Sequence, residues 1–306
     1  MKKVIVLFLI IAITILIIPC YGYSAQDLQK KAIIFIVDNV NYDDLAKYGR
    51  ANIRYLLENG SIGLMNTNSG GAYNSPNAYA TIGAGTYAVS STVGTYAGGY
   101  DDLYYGDEIH KVYKRNTGGE MDEENIANID ILGLKLLNER LNRPVKIGLL
   151  GSLLNEQGYK TAIIGTETTN LDDISNRATL ITMNGEGITN YGKVDGSLLT
   201  RDFMSPFGIR TDYDALFKAY EDVKDKADFI VIQTGDTYRL NQYMSISHER
   251  LEQVKAEIFE DIDEFLGRIV ENADKDMLLL LVVPFPSNED IAKGERLTPV
   301  IVSHPS

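Results

Sequence analysis

Ala32-Ile33-Ile34-Phe35-Ile36-Val37-Asp38 is the stretch that decides the fold. Six apolar residues in a row, without the polar alternation of a strand wetted on one side, predict a strand covered on both faces, as at the centre of a parallel sheet. Asp38 ends it. Downstream, Tyr42 to Glu58 predicts a helix closed by Asn59-Gly60, and Ser61 to Met65 a second strand. Further on, the pattern predicts helices over Ile129 to Leu141, Lys146 to Gln157 and Asp212 to Ala227. Strands are predicted over Tyr159 to Ile164, Ala178 to Met183, Asp228 to Gln233, Met277 to Val283 and Val300 to Val302. Leu251, Val254, Ile258, Ile262, Phe265 and Ile269 recur every three or four residues, the stripe of a long helix facing a core. Strands alternating with helices, several strands apolar throughout, predict an α/β fold: a mostly parallel central sheet with helices on both faces.

Composition narrows the function. The chain has 306 residues, 44% hydrophobic and 23% charged, with 29 Lys and Arg against 42 Asp and Glu, a net charge of −13. Nucleic-acid and anionic-lipid partners are set aside, because the positive footprint such surfaces need is missing. One cysteine, Cys20, rules out an intrachain disulfide framework. With three histidines in all, a metal centre would have to be built mostly from carboxylates.

The N-terminus reads as an address. Lys2 and Lys3 precede the apolar run Val4 to Ile18, followed by Pro19 and the small-residue region Gly22-Tyr23-Ser24-Ala25. A run of about 15 apolar residues is short against the roughly 20 of a spanning helix, which predicts a signal peptide over 1–25 cleaved near Ser24 or Ala25. The protein is therefore expected to be exported, extracellular or in the cell envelope. Contact with a membrane is expected only through an uncleaved signal segment.

Ligands of parallel sheets gather beyond the carboxyl ends of the strands. Asp38 and Asp236 both fall at such ends and could converge on one cation, although an acid there equally caps a following helix. Asn66 to Tyr105 is rich in Gly, Ser, Asn and Tyr and predicts a long functional loop with one helical turn, Asn77 to Ile82. Asn74 and Ser75 stand at the mouth of that turn. Free N–H groups there favour an anion, and Ser75 is either a participant or a simple cap. Arg239 either holds an anion or pairs with a neighbouring acid.

Phe35-Ile36-Val37-Asp38, Asn59-Gly-Ser-Ile-Gly-Leu64 and Ala78-Tyr-Ala-Thr-Ile-Gly-Ala-Gly85 together resemble the N-terminal half of alkaline-phosphatase-superfamily domains, nearest to exported bacterial members with a Thr-Leu-Gly-Ala-Gly segment. Leu150 to Gly158, Thr161 to Gly165, Gly235 to Arg239 and Leu297 to Val300 extend the likeness along 26–306. The resemblance implies a two-metal phosphoryl- or sulfuryl-transfer site, with Asp38 and Asp236 as metal ligands and Ser75, or Asn74 in a shifted alignment, as nucleophile. This chain departs from it. Pro284-Phe285-Pro286 stands where the family has an Asp-His pair, and the histidine expected a few residues after Asp236 is absent from Thr237 to Tyr243. The last ligand-bearing segment is also missing, so 26–306 reads as a single domain incomplete at its C-terminus. The expectation is a non-catalytic domain that binds a small anion or a cell-envelope partner, with no metal or one zinc, manganese or magnesium ion. The competing expectation is a divergent metal-dependent phosphoesterase, phosphodiesterase or sulfatase-like hydrolase using Ser75, with Arg239 supplying fixed positive charge.

Overall fold

The computed structural model describes residues 31–274 and 276–304, so the signal peptide expected over 1–25, with its cleavage near Ser24 or Ala25, lies outside the described residues. Lys31–Ser306 forms one compact unit. In chain order its main elements are β1 (Ala32–Val37), α1 (Tyr42–Tyr48), α2 (Ala51–Asn59), β2 (Ser61–Asn66), α3 (Ser75–Ala84), α4 (Ile109–Thr117), α5 (Ile131–Glu139), α6 (Leu149–Glu156) and β3 (Thr161–Thr166). There follow α7 (Thr179–Thr182), β4 (Tyr191–Lys193), α8 (Tyr213–Val223), β5 (Phe229–Thr234), α9 (Asp236–Gln242), α10 (His248–Glu271), β6 (Leu278–Val282), α11 (Asn288–Ala292) and β7 (Leu297–Ser303).

The seven strands form one sheet in the order β2-β7-β6-β1-β5-β3-β4. All pairings are parallel except those of β7, which runs against both β6 and β2. β1 lies between β6 and β5, and its side chains alternate between two cores. Ile33, Phe35 and Val37 pack with Val254, Ile258, Ile262 and Phe265 of α10. Ile34 and Ile36 pack with Tyr79 and Ala80 of α3 and Leu134 of α5. Two apolar faces on one strand explain its unbroken hydrophobic run.

The helical stripe from Leu251 to Ile269 belongs to the 24-residue α10, capped by Ser247, whose hydroxyl accepts from the Arg250 N–H. Two elements differ from the sequence expectation. The helix expected over Tyr42 to Glu58 is two helices, broken between Tyr48 and Ala51. At the break Asp263 of α10 takes over the start of α2: Oδ1 accepts from the Arg50 and Ile53 N–H groups (3.0 and 2.7 Å), and Oδ2 from the Asn52 N–H (3.1 Å). The strand expected over Ala178 to Met183 is instead the buried single turn α7. Asn176 begins that turn by accepting from the Thr179 N–H at 3.1 Å, and an apolar run of this length fits either a buried strand or a buried helix.

Asn66 to Tyr105 is built rather than loose. It contains the ten-residue α3, and the Thr-Ile-Gly-Ala-Gly segment has two local reasons. A Cβ on Gly83 would lie 1.9 Å from the Leu180 carbonyl oxygen, so only glycine lets α3 approach α7 this closely. Gly85 ends α3 with φ +62°, the left-handed cap that glycine adopts without strain.

Candidate functional site

The carboxyl ends of β1, β3 and β5 lie side by side, and each is followed closely by an acid: Asp38, Glu167 and Asp236. Asp38 is 1% exposed. Its Oδ1 accepts from the N–H groups of Asn39 and Phe285, both at 3.0 Å, and its Oδ2 from the Tyr79 hydroxyl at 2.9 Å. Asn39 sits in the left-handed region at φ +60°, and its amide donates to the Pro286 carbonyl at 2.9 Å. The Pro284-Phe285-Pro286 segment thus anchors the Asp38 turn through its own backbone.

Glu167 faces a residue that no motif marked. Its Oε1 accepts from Arg177 twice, from Nε at 3.0 Å and from the backbone N–H at 2.9 Å. Arg177 Nη1 then donates to Ser75 Oγ at 3.0 Å, and the guanidinium lies 3.8 Å over the Tyr238 ring and 5.5 Å from that of Tyr79. Arg177, Glu167 and Ser75 are all buried. Burial works against the charge on Arg177, but Glu167, Tyr79, Tyr238 and Asp38 outweigh it and hold the guanidinium protonated.

Ser75 is the first residue of α3, and Asn74 caps the helix, its Oδ1 accepting from the Asn77 N–H at 3.0 Å. Ser75 Oγ therefore meets a cationic donor, which stabilises negative charge but takes up no proton. Asp236 belongs to a separate group. Its Oδ1 accepts from the Thr211 N–H (3.0 Å) and from Arg239 Nη2 (2.8 Å), and its Oδ2 from the Tyr213 hydroxyl (2.8 Å). Burial raises the Asp236 pKa, but Arg239 and Thr211 more than offset it and hold the carboxyl below its ordinary range. Arg239, 1% exposed, also donates to the Thr166 and Thr168 carbonyls and to Thr211 Oγ1. It ties α9 to the end of β3 and to the 209–211 strand. Asp38 and Asp236 share none of these hydrogen-bonding partners.

These residues do not fit a two-metal centre. Metal pairs need several carboxylates with oxygens free to coordinate. Both oxygens of Asp38 and both of Asp236 are engaged by protein donors, and a guanidinium bridges Glu167 and Ser75. Among the described residues no three His, Cys, Asp or Glu side chains gather closely enough to hold an ion.

Buried polar atoms without a protein partner collect along this edge: Asn39 Oδ1, Glu167 Oε2, Arg177 Nη2, Gln233 Oε1 and Thr237 Oγ1. Groups of this kind mark a place for ordered water or a small polar ligand. Beside them lies a cavity of about 220 Å³ bounded by Asn39, Val40, Thr237, Leu240 and Phe259. Sequence reasoning missed Glu167 and Arg177. The rule that singled out Asp38 and Asp236, an acid just past a buried strand, would have found Glu167 had the strand been extended to Thr166.

Asp38 makes this edge sensitive to pH. Burial pushes its pKa up to about 6, against the opposing influence of Arg177 and Tyr79. The folded protein then holds a proton that the unfolded chain has released, so stability declines as pH rises from about 4 through 6. Asp38→Asn carries no such proton. Urea unfolding at stepped pH should show wild type losing stability relative to Asp38→Asn over that window; parallel curves would contradict the buried, proton-retaining carboxyl.

No family model matches the chain, and no curated protein sequence matches it. Solved structures do. A protein in the alkaline phosphatase superfamily from Vibrio parahaemolyticus aligns over 90% of this chain with a TM-score of 0.50 at 15% identity. This chain spans 60% of that protein's length, less than two thirds. A lipoteichoic acid synthase from Listeria monocytogenes aligns over 91% of this chain and 66% of its own, with a TM-score of 0.48 at 11% identity. Alkaline phosphatase from the Antarctic bacterium TAB5 aligns over 90% of this chain and 91% of its own, with a TM-score of 0.43 at 13% identity. The likeness is one of fold: the chain has an α/β fold similar to that of a protein in the alkaline phosphatase superfamily.

Proposed function

We propose that this chain is an exported, non-catalytic domain on an alkaline-phosphatase-like scaffold, acting in the cell envelope by binding a small anion or a partner rather than by hydrolysis. The observation that carries the reading is Arg177. A buried guanidinium joined to Glu167 and Ser75 supplies positive charge from within the protein, where the family resemblance implies a metal pair. A divalent ion placed next to it would be repelled. The fully engaged carboxylates of Asp38 and Asp236 support the same conclusion, and the Lys2, Lys3 and Val4 to Ile18 pattern supports export.

An anion is favoured over a cation because Arg177 Nη2 has no protein partner and Ser75 opens the first turn of α3. A competing reading, a Ser75 hydrolase with Arg177 as its fixed charge, rests on the 3.0 Å contact between them. One experiment separates the two. Residues 31–306 are stripped of metal, reloaded with zinc, manganese or magnesium, and assayed on chromogenic phosphate monoester, phosphate diester and sulfate ester. Sulfate and inorganic phosphate are titrated calorimetrically in parallel. The expected result is no metal-dependent turnover and anion binding that Arg177→Gln abolishes. Turnover lost in both Ser75→Ala and Asp38→Ala would establish the hydrolase instead.

A further inference from the structure

The cavity beside Asn39 is distinct from the Arg177 group. None of Arg177, Glu167 and Ser75 lines it, so its occupant does not depend on how an anion is held. Its closed end is formed by Val40, Leu240, Ile258 and Phe259, all buried, together with Asn39 and Thr237, 6% and 5% exposed. Its lip is formed by Met244, 84% exposed, and by Asn288 and Glu289. At about 220 Å³ it exceeds the roughly 150 Å³ of a protein cavity that takes up benzene, which leaves room for a ring carrying a substituent.

The walls are braced and electrically quiet. The Asn288 N–H donates to Asn241 Oδ1 and the Asn288 side-chain amide to the Asn241 carbonyl, both at 2.9 Å, which ties the start of α11 to the end of α9. On α10, Lys255 Nζ donates to Asp44 Oδ1 at 2.8 Å, and at the lip Glu289 accepts from Lys293 Nζ at 2.8 Å. The two charges on the lining are thus each neutralised by an ion pair. Two polar atoms remain without a protein partner, Asn39 Oδ1 and Thr237 Oγ1, and both residues belong to the closed end. Asn39 gives its amide N–H to the Pro286 carbonyl, leaving its oxygen as an acceptor in want of a donor. A buried acceptor and a buried hydroxyl left unpaired each carry a penalty, which a ligand supplying the missing partner relieves.

From these features we infer that the cavity is a binding site for a neutral, hydroxyl-bearing ring of about phenol size. The apolar walls take the ring. The hydroxyl reaches the closed end, where it donates to Asn39 Oδ1 and accepts from the Thr237 hydroxyl. A carboxylate or phosphate oxygen is disfavoured there, because it would meet the Asn39 oxygen with no proton to give. An ammonium finds no free carboxylate on the lining, since Glu289 is already paired. Water alone is a poor occupant of a space whose closed end is mostly apolar. Met244, an unbranched thioether at the lip, folds over the ring once it is bound.

The probe is para-cresol, with toluene as the same shape lacking the hydroxyl. Residues 31–306 carrying methionine labelled with carbon-13 at the methyl group are titrated with each, and the Met244 signal is identified by its loss in Met244→Leu. Para-cresol should shift that signal saturably, with a dissociation constant on the order of 1 mM or tighter for a ligand of so few atoms. Met121, in a separate cluster with Val112 and Ile129, should not move. Toluene, although more apolar, should bind at least about tenfold more weakly, because it leaves both polar atoms unpaired. Thr237→Val should weaken para-cresol by about tenfold and leave toluene no weaker, a split that a general loosening of the cavity would not produce. Leu251→Trp, which fills the cavity from its partly buried wall, should abolish the shift with circular dichroism unchanged. No saturable shift at Met244, or one that survives Leu251→Trp, overturns the proposal. Toluene binding as tightly as para-cresol does so too, since it would make the cavity a plain apolar void.

Discussion

Arg177→Met should destabilise the protein by about 3–5 kcal/mol, the usual consequence of removing one partner from a buried ion pair. For a domain of this size that corresponds to a melting temperature lower by on the order of 10 °C. Methionine fills much of the volume and keeps the apolar contact with the Tyr238 ring, so the loss is mainly electrostatic. It leaves Glu167 with no charge-assisted donor from the guanidinium, Ser75 without its donor, and Asp38 without its nearby positive charge. Two measurements separate this from a packing defect. Adding Glu167→Gln to Arg177→Met should recover part of the loss, because the stranded carboxylate is gone. The single variant should also recover relative to wild type as the pH falls and the carboxyls protonate. A loss under about 1 kcal/mol, well below the range for a broken buried pair, would mean that Arg177 is not the internal counter-ion of this edge.

Asp263→Ala should cost about 2–4 kcal/mol through a different mechanism. The carboxylate, 3% exposed on α10, accepts from the Arg50, Asn52 and Ile53 N–H groups and from the Asn52 side chain. Alanine strands several donors at the first turn of α2 and removes a negative charge from the positive end of that helix. Asp263→Asn keeps one acceptor oxygen and should lose roughly half as much. Hydrogen exchange at Arg50, Asn52 and Ile53 should accelerate before global unfolding in both variants. Equal protection in wild type and Asp263→Ala would show that another group starts α2.

These two residues also show where sequence reading reached its limit. The central strands were legible because burial on both faces leaves an unbroken apolar run, as in Ala32–Val37 and Phe229–Thr234. The α10 stripe was legible because its spacing is local. The break between α1 and α2 was not, because its cause is an acid more than 200 positions away in α10. The Ala178 to Met183 run was ambiguous in itself, and the helix was selected by Asn176 and by close packing on Gly83 of α3. At the site, Asp38, Ser75, Asn74 and Asp236 all lie at element ends, and Arg239 stands midway along the short α9. What the sequence could not convey is which acid meets which base. Asp236 and Arg239 are one helical turn apart and pair locally, whereas Arg177 reaches Ser75 across about a hundred residues.

The strand order has a consequence for how the chain acquires its structure. Ala32, at the start of β1, aligns with Phe229 on one side and Leu278 on the other, and Ser61 of β2 waits for Val302 of β7. A ribosome delivers the middle strand of the sheet first and both its neighbours late. Contacts of such wide sequence separation close slowly, and β1 finds no parallel neighbour before residue 229 has been made. Under the export proposed above, this order of synthesis leaves β1 without its sheet neighbours while the rest is made, and a strand not yet locked into a sheet is one that can still be threaded through a pore.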